Sequence, residues 1–466
     1  MLRRGFLLFA FALLLFTDRA SANGRFPNAQ QLVVHPTNHD RLWLRATHGV
    51  LTSADRGKTW RWICEAALGY SGIADPAIAV TASGKVLVGL NGLSTSADDG
   101  CDWIRDQTFR GQRVADLSVE KSDPRRVIVL TSTRRDDGNY DNAIWRSLDA
   151  GDSWTKLPGA LEEDLVGETL DAAPSDSRRL YVTGLVWSVG DAGPTNHGKI
   201  FVSKDDGATF ESYDLPTPGF GYAPFLAAVH PTNPDVLYVR VKGPDITPPA
   251  TGTVENFLLY SEDGGKTFRE ILHENADFLG FALSPDGSTV LLGMGDSEQP
   301  ATRPVDKNAL GLYSAQAPNH SFERLSSGHV GGLTFDGDEL YLCTSQFAQG
   351  YEVMRSADRG HTLEGVTELA NVEGPVICPC ETSTGSLCPD QWPAMCEPGN
   401  LGRCSGPDDP KAKAYCGDPP APPPPPEPPP DDGCGCRTPS HHTTIAAALS
   451  LLALASVPLL RRRRRR

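Results

Sequence analysis

The chain has 466 residues, with 43 Lys and Arg against 58 Asp and Glu, a formal net charge of −15, and 46 glycines and 38 prolines. Such an acidic surplus repels nucleic acid and anionic membrane surfaces, which excludes DNA or RNA as a partner and leaves divalent cations and basic protein patches as compatible counterparts. With 39% hydrophobic residues and no long run of apolar side chains at helical spacing, the middle of the chain is expected to be all-β.

The N-terminus reads as an export signal. Arg3 and Arg4 give a basic start, Gly5 to Phe16 an apolar run, and Ala20-Ser21-Ala22 a small-residue cleavage site. The apolar run is too short for a spanning helix, which needs about 20 residues. Residues 1–22 are therefore expected to be removed, leaving Asn23 as the first residue.

From there to residue 372 one phrase recurs: Ser53-Ala-Asp55-Arg-Gly57-Lys-Thr59-Trp60, Ser96-Ala-Asp98-Asp-Gly100-Cys-Asp102-Trp103 and Ser147-Leu-Asp149-Ala-Gly151-Asp-Ser153-Trp154. It continues at Ser203 to Phe210 around Asp205, Ser261 to Phe268 around Asp263, and Ser356 to Leu363 around Asp358. A degenerate copy, Ser314 to Phe322, has lost the Asp and Gly. Seven units at this spacing each supply one four-stranded blade. The Asp can accept backbone N–H bonds across a turn, the Gly can take φ > 0, and the aromatic ring packs between sheets. The phrase resembles the Asp-box, or BNR, repeat of sialidases, sortilin-type receptors, some glycoside hydrolases and a photosystem assembly factor. The resemblance implies a seven-bladed β-propeller in which the box, on the hairpin between strands 3 and 4, staples the fold and is not the active site. His35 and His230, at equivalent places in strand 1 to 2 turns, are expected to be turn formers.

In an up-and-down blade, turns 1–2 and 3–4 share one face of the ring, whereas loops 2–3 and the links between blades share the other. The first face carries short repetitive turns. The second carries long, dissimilar loops: Arg134 to Ala143, Val186 to Gly198, Lys242 to Asn256 and Gly293 to Leu310. Such loops are the expected functional face. They hold Asp136, Asp137, Asp141, Asn142, Asp191, Asn196, His197, Asp245, Glu255, Asn256, Asp296, Glu298, Arg303 and Asp306, with Tyr140 and Trp187 as stacking surfaces. Of these, Asp136, Asp141, Tyr140, Trp187, His197, Asp245, Glu255, Asp296 and Arg303 are the candidate ligand-binding residues. Carboxylates beside aromatic surface suit a carbohydrate or a calcium-bridged ligand; no other cofactor is expected.

Enzyme motifs are sparse. The sialidase resemblance would require an Arg-Ile-Pro phrase near the start, where this chain has Arg25-Phe26-Pro27, an arginine cluster, and six blades rather than seven. Two facing carboxylates would serve another glycoside hydrolase, but acidic loops always offer a pair. Nucleophile-elbow, zinc-protease, phosphate-loop and EF-hand motifs are missing. The leading expectation is thus a binding protein for an extracellular glycan or envelope protein. The alternatives are a non-sialidase glycoside hydrolase and an assembly factor for envelope complexes.

Residues 373–417 hold Cys378, Cys380, Cys388, Cys396, Cys404 and Cys416 among few apolar residues. In an exported protein this even count reads as three disulfides within a small module. Cys64, Cys101 and Cys343 remain in the propeller, with Cys64 and Cys101 expected on opposite faces and Cys64 to Cys343 as a candidate bridge. A proline-rich linker (418–433) follows, extended as polyproline II. The end, 434–466, has Cys434 and Cys436, an apolar segment at 445–460 and six terminal arginines. Arginines remain cytoplasmic, so the tail would stop transfer with the body outside. This order resembles the MYXO-CTERM tail of myxobacterial-type surface proteins. The resemblance implies a sorting protease acting near the cysteines and anchorage at the outer surface. Without residues 1–22 and 434–466, which carry ten arginines and one aspartate, the body has a charge of about −24.

Overall fold

The computed structural model describes residues 29–417 except 72–74, 191–192, 220, 244–254, 297–304, 397–400, 405–408 and 415. The expected signal peptide, proline linker and sorting tail, with Cys434 and Cys436, lie outside the described residues.

Seven antiparallel four-stranded sheets follow one another along the chain, at 29–64, 77–105, 114–156, 165–214, 223–274, 277–327 and 330–367. These are blades 1 to 7. In each the strands pair in sequence order, because every strand runs antiparallel to the one before it. The first strand of each blade is innermost and touches the first strand of the next, and the ring closes where the first strand of blade 7 meets that of blade 1. Second strands such as Val127–Arg134 and Thr289–Gly295 are almost wholly buried, being covered by a neighbouring blade on both faces. Buried Trp43, Tyr181, Tyr238 and Tyr341 fill the inter-blade cores.

All six complete Asp-boxes fold alike. In blade 1 the Ser53 hydroxyl donates to Asp55 (2.9 Å) and accepts from the Gly57 N–H (2.9 Å). Asp55 in turn accepts the Thr59 N–H (2.9 Å) and hydroxyl (2.7 Å). The same serine-to-aspartate and glycine-to-serine bonds recur at Ser96, Ser147, Ser203, Ser261 and Ser356. Two consecutive residues are left-handed: Arg56, Asp99, Ala150, Asp206, Gly264 or Arg359, then the glycine. The expected role of glycine holds, and a Cβ on Gly207 would also lie 2.5 Å from Leu157 Cδ1 of the preceding blade.

The first left-handed residue has a role that sequence reasoning missed. Its side chain reaches back to the preceding blade: Arg56 to Asp336 (3.1 Å) and Glu339 (2.6 Å), Arg359 to Asp286 (3.2 Å), Asp99 to Arg41, and Asp206 to both Arg126 and Arg146. The charge complementarity at these positions was legible in principle, but the pairing needs the blade register. In degenerate blade 6, His320 takes the left-handed place (φ 52°) and packs between Tyr238 and Tyr260, with Nε2 2.9 Å from the Tyr238 hydroxyl. His35 and His230 form turns as expected: His35 Nδ1 accepts from the Thr37 and Asn38 amides (both 3.1 Å), and His230 Nδ1 from Thr232 (3.3 Å).

The cysteine expectation needs correction. Cys64 bonds Cys388 and Cys101 bonds Cys378, so two of four disulfides join the C-terminal module to blades 1 and 2. Cys380–Cys416 and Cys396–Cys404 are internal, and Cys343 is a buried thiol, not a partner of Cys64. Cys64 and Cys101 do lie toward opposite faces, at the end of a fourth strand and within a box turn, and the module spans the distance between them along the outer edge. Its first segment, Val372–Pro375, pairs parallel with Trp60–Cys64 as a fifth strand of blade 1. Its helix, Ser383–Met395, docks Trp392 on Trp62 (5.9 Å between ring centroids), while Ser383 donates to Asp102 and Thr384 to the Gly100 carbonyl. The module could not close a core of its own and borrows that of blade 1.

Peptide mapping without reduction is expected to yield linked Cys64–Cys388 and Cys101–Cys378 fragments. Replacing Cys64 and Cys388 together by serine, which opens a 324-residue loop, should cost about 2–5 kcal/mol in denaturant unfolding. Asp206→Ala, which takes a shared carboxylate from two largely buried guanidinium groups while Arg126 keeps Glu120, should cost about 1–3 kcal/mol, whereas Asp99→Ala at an exposed pair should cost less than about 1 kcal/mol.

Candidate functional site

The first strands, joined by Arg240 from the second strand of blade 5, form one seam around the ring. Gln31 Nε2 donates to the Ile78 carbonyl (3.2 Å), the Leu226 N–H to Thr169 Oγ1 (2.8 Å), Arg240 to the Phe278 carbonyl (2.6 Å), and Thr334 Oγ1 to the Leu32 carbonyl (2.8 Å). Between blades 3 and 4 two carboxylates do this work. Asp116 accepts the N–H of Leu117 and of Leu170 (both 2.9 Å), and Asp171 accepts the Ser118 hydroxyl and the Ala172 N–H (both 2.9 Å). Burial raises Asp116 to about 7 and raises Asp171 as well, in each case against the hydrogen bonds it accepts. Two acids on inner strands look at first like a catalytic pair, but each takes one hydrogen bond across the junction of blades 3 and 4 and so ties one blade to the next. The signal for them, a charge inside an otherwise apolar strand, was present in Val114–Val119 and Leu165–Ala173.

The loop face carries separate clusters, one to a blade. In blade 3, Arg135 gathers Asp137 (2.9 Å), Asp141 (3.2 Å) and Glu163 (3.1 Å), which holds its proton more tightly than usual, mainly through Asp137. Exposed Asp136 and half-buried Tyr140 flank this group. In blade 6, Asp296 pairs with Lys307 (3.0 Å), and its N–H donates to His329 Nδ1 (3.2 Å). Burial drops buried His329 to about 4, so it is neutral at physiological pH. Asp191, Asp245, Glu298 and Arg303 lie outside the described residues.

At the junction of blades 4 and 5 the elements come closer together. The hairpin of blade 4 pairs Trp187 directly with Asn196, so both side chains lie on one face of the sheet. His197, paired with Val186, lies on the other face, 3.6 Å from Asp214. Trp187 is 37% exposed, whereas Asn196 is only 7% exposed. Asn196 Oδ1 accepts the Gly221 N–H (2.8 Å) from the link to blade 5. The next residue, Tyr222, donates its hydroxyl to Glu255 (3.2 Å) and packs on Phe257, which stacks on His273 at 4.2 Å. Trp187 and Glu255 thus flank one junction, while Asp136, Tyr140, Asp141 and Asp296 stand at others on the same rim. Asn142 and Asn256 are scaffold: each donates Nδ2 to linker carbonyls, at Glu162 and Leu165 (both 2.9 Å) and at Ala276 (2.8 Å).

A cleft of about 430 Å³ opens on the opposite face, between blades 7 and 1, lined by Asp40, Asp55, Arg56, Lys58, Arg355 and Val366. Its charges alternate in sign, and Arg56 and Arg355 are paired with Glu339. Among the described residues no group of three or more His, Cys, Asp or Glu could hold a metal ion, and no helix is long and apolar enough to cross a membrane.

Ring, boxes and register together define a seven-bladed Asp-box β-propeller of the sortilin/BNR type. The Sortilin-Vps10 family (sortilin, neurotensin receptor 3) matches residues 142–336, from the third strand of blade 3 through the first strand of blade 7. No curated protein sequence matches the chain. Among solved structures, an ancestral GH74 enzyme superposes with a TM-score of 0.53 at 14% identity, over 74% of this chain and 47% of its own. The GH74 xyloglucanase from Xanthomonas campestris gives 0.40 at 19% identity over 72% and 60%. YCF48 bound to a D1 peptide gives 0.43 at 13% identity, over 71% of this chain and 92% of that one. The chain spans about half the length of the ancestral enzyme, and at such identity the likeness is one of fold.

Asp116 sets a pH dependence. Its carboxyl keeps a proton in the folded ring up to about pH 7 but loses it near 4 when unfolded, so the stability it supplies is complete below about 4 and is lost as pH rises through 7. The thermal midpoint should therefore fall between pH 4 and 8 in the native protein, and Asp116→Asn should flatten that slope; an equal slope in both would refute the assignment. Below pH 4 the trend reverses, because Asp149 and Asp205, each held at about 2 chiefly by the hydroxyls of Ser153 and Thr209, lose stabilising bonds as they take up protons.

Proposed function

We propose that the chain is an exported, surface-anchored binding protein whose loop rim recognises an extracellular glycan or protein. The observation that carries this reading is where the chain leaves the described fold. The Gly417 N–H donates to the Cys378 carbonyl (2.9 Å), and Cys378 is bonded to Cys101 in the box turn of blade 2. Gly417, the last described residue, thus stands beside the Asp-box face, opposite the face with long dissimilar loops. The export signal, the proline linker and the sorting tail in the sequence accord with display on a stalk, with the tail held at the envelope after processing near Cys434 or Cys436.

Two features favour binding over hydrolysis. Asp116 and Asp171, the inner acids, are engaged in hydrogen bonds that join blades 3 and 4, and the rim acids Asp137 and Asp141 are neutralised by Arg135 rather than poised opposite each other. A general acid and its partner need about 5–10 Å between carboxyls across a cleft.

The test is an array of glycans and envelope proteins probed with the purified protein, with and without calcium. Saturable binding to at least one member is expected. Turnover of a polysaccharide that disappears on replacing a single rim carboxylate would establish the hydrolase instead, and no binding to any member would overturn the reading.

A further inference from the structure

We propose that the junction of blades 4 and 5 is a subsite for one neutral sugar residue of an oligosaccharide, formed by Trp187, Asn196 and Glu255. The proposal rests on the binding reading above and narrows it to one ligand class and one place.

The first observation is an unsatisfied donor. Asn142 in blade 3 and Asn256 in blade 5 stand five residues before their box serines and spend Nδ2 on linker carbonyls. In blade 4 that position is Gly198, and the asparagine sits two residues further out, on the same face of the strand. Asn196 holds its linker with the oxygen instead. Because the Gly221 N–H can only donate, it fixes the amide with Oδ1 toward the linker and turns Nδ2 away. Asn196 Nδ2 is left without a hydrogen-bond partner in a side chain that is 7% exposed. A buried donor in that state costs about 1–3 kcal/mol, a cost that an acceptor brought by a ligand would remove.

The second observation is the company this donor keeps. Trp187, its direct cross-strand partner, presents an indole to solvent at this junction, whereas the other exposed aromatics of the rim, Phe347 and Tyr351, belong to blade 7. A flat ring suits the apolar C–H face of a pyranose, while hydroxyls along the sugar edge need both donors and acceptors. Glu255, oriented by the Tyr222 hydroxyl, is the acceptor, and the Asn196 amide is the donor. The third observation is charge. Lys199 lies on the opposite face of the blade 4 sheet, paired with Glu162 (2.8 Å), and Lys242 stands beside Glu168. The acidic surplus of the body disfavours uronic acids and sulfated sugars.

Isothermal titration of the purified protein with cellohexaose, mannohexaose and hexagalacturonate tests this. At least one neutral hexasaccharide should bind and the anionic one should not. Trp187→Ala should weaken binding at least tenfold with an unchanged thermal midpoint, Trp187→Tyr should restore it to within about threefold, and Glu255→Gln should weaken it without abolishing folding. Neutral-sugar binding that survives Trp187→Ala and Glu255→Gln unchanged would overturn the site. If the protein binds only polypeptides on the array, the sugar assignment falls and the binding reading stands; if it binds nothing, both fall.

Discussion

A single serine hydroxyl, held between a carboxylate and a glycine N–H, is the contact on which this propeller depends. It lets two consecutive residues sit in the left-handed region, where the second must be glycine and the first pays a steric cost. That cost is offset because the turn so formed reaches the preceding blade twice. The glycine, lacking a Cβ, lets Leu157, Ile63, Val366 or Leu312 pack against its backbone, and in four of the six boxes the residue before it extends a charged side chain to the neighbouring blade. The Asp-box is therefore a device for setting blade against blade as much as for closing a hairpin.

Seen this way, blade 6 is informative. Without the aspartate and glycine it keeps its place through His320, which is wedged between two tyrosines and held neutral by burial at about 4. Aromatic packing substitutes for the polar clamp. The same economy governs closure: no strand from the far end of the chain enters a four-stranded blade, and the C-terminal segment instead adds a fifth strand to blade 1 and is bonded covalently to blades 1 and 2. Two disulfides and a tryptophan pair do what interleaved strands would otherwise do.

The division between faces follows from this arrangement. The box face is bound by repeated geometry and ion pairs, so its residues are constrained by the neighbouring blade. The opposite rim has no such duty except at the linkers, where asparagines tie one blade to the next. Where one of those ties is made differently, at Asn196, a donor is left over beside an exposed tryptophan, and recognition has room to arise.

Blade number, strand order and the scaffold role of Asp55, Asp98, Asp149, Asp205, Asp263 and Asp358 were legible in the sequence because the box is local: every partner of its aspartate lies within four residues. The turn roles of His35 and His230 were legible for the same reason. What the sequence could not decide were contacts between residues hundreds of positions apart. Even cysteine spacing suggested a self-contained module, yet Cys388 and Cys378 find their partners 324 and 277 residues away, since the module has too little apolar surface to fold alone. The candidate rim residues come from loops that the repeat assigns to one face, but whether two of them share a junction depends on strand register and on the alternation that sends Trp187 and Asn196 to one side and His197 to the other. Local hydrogen bonding writes the blades into the sequence; only the closed ring, which brings unrelated loops side by side, determines which of their side chains meet.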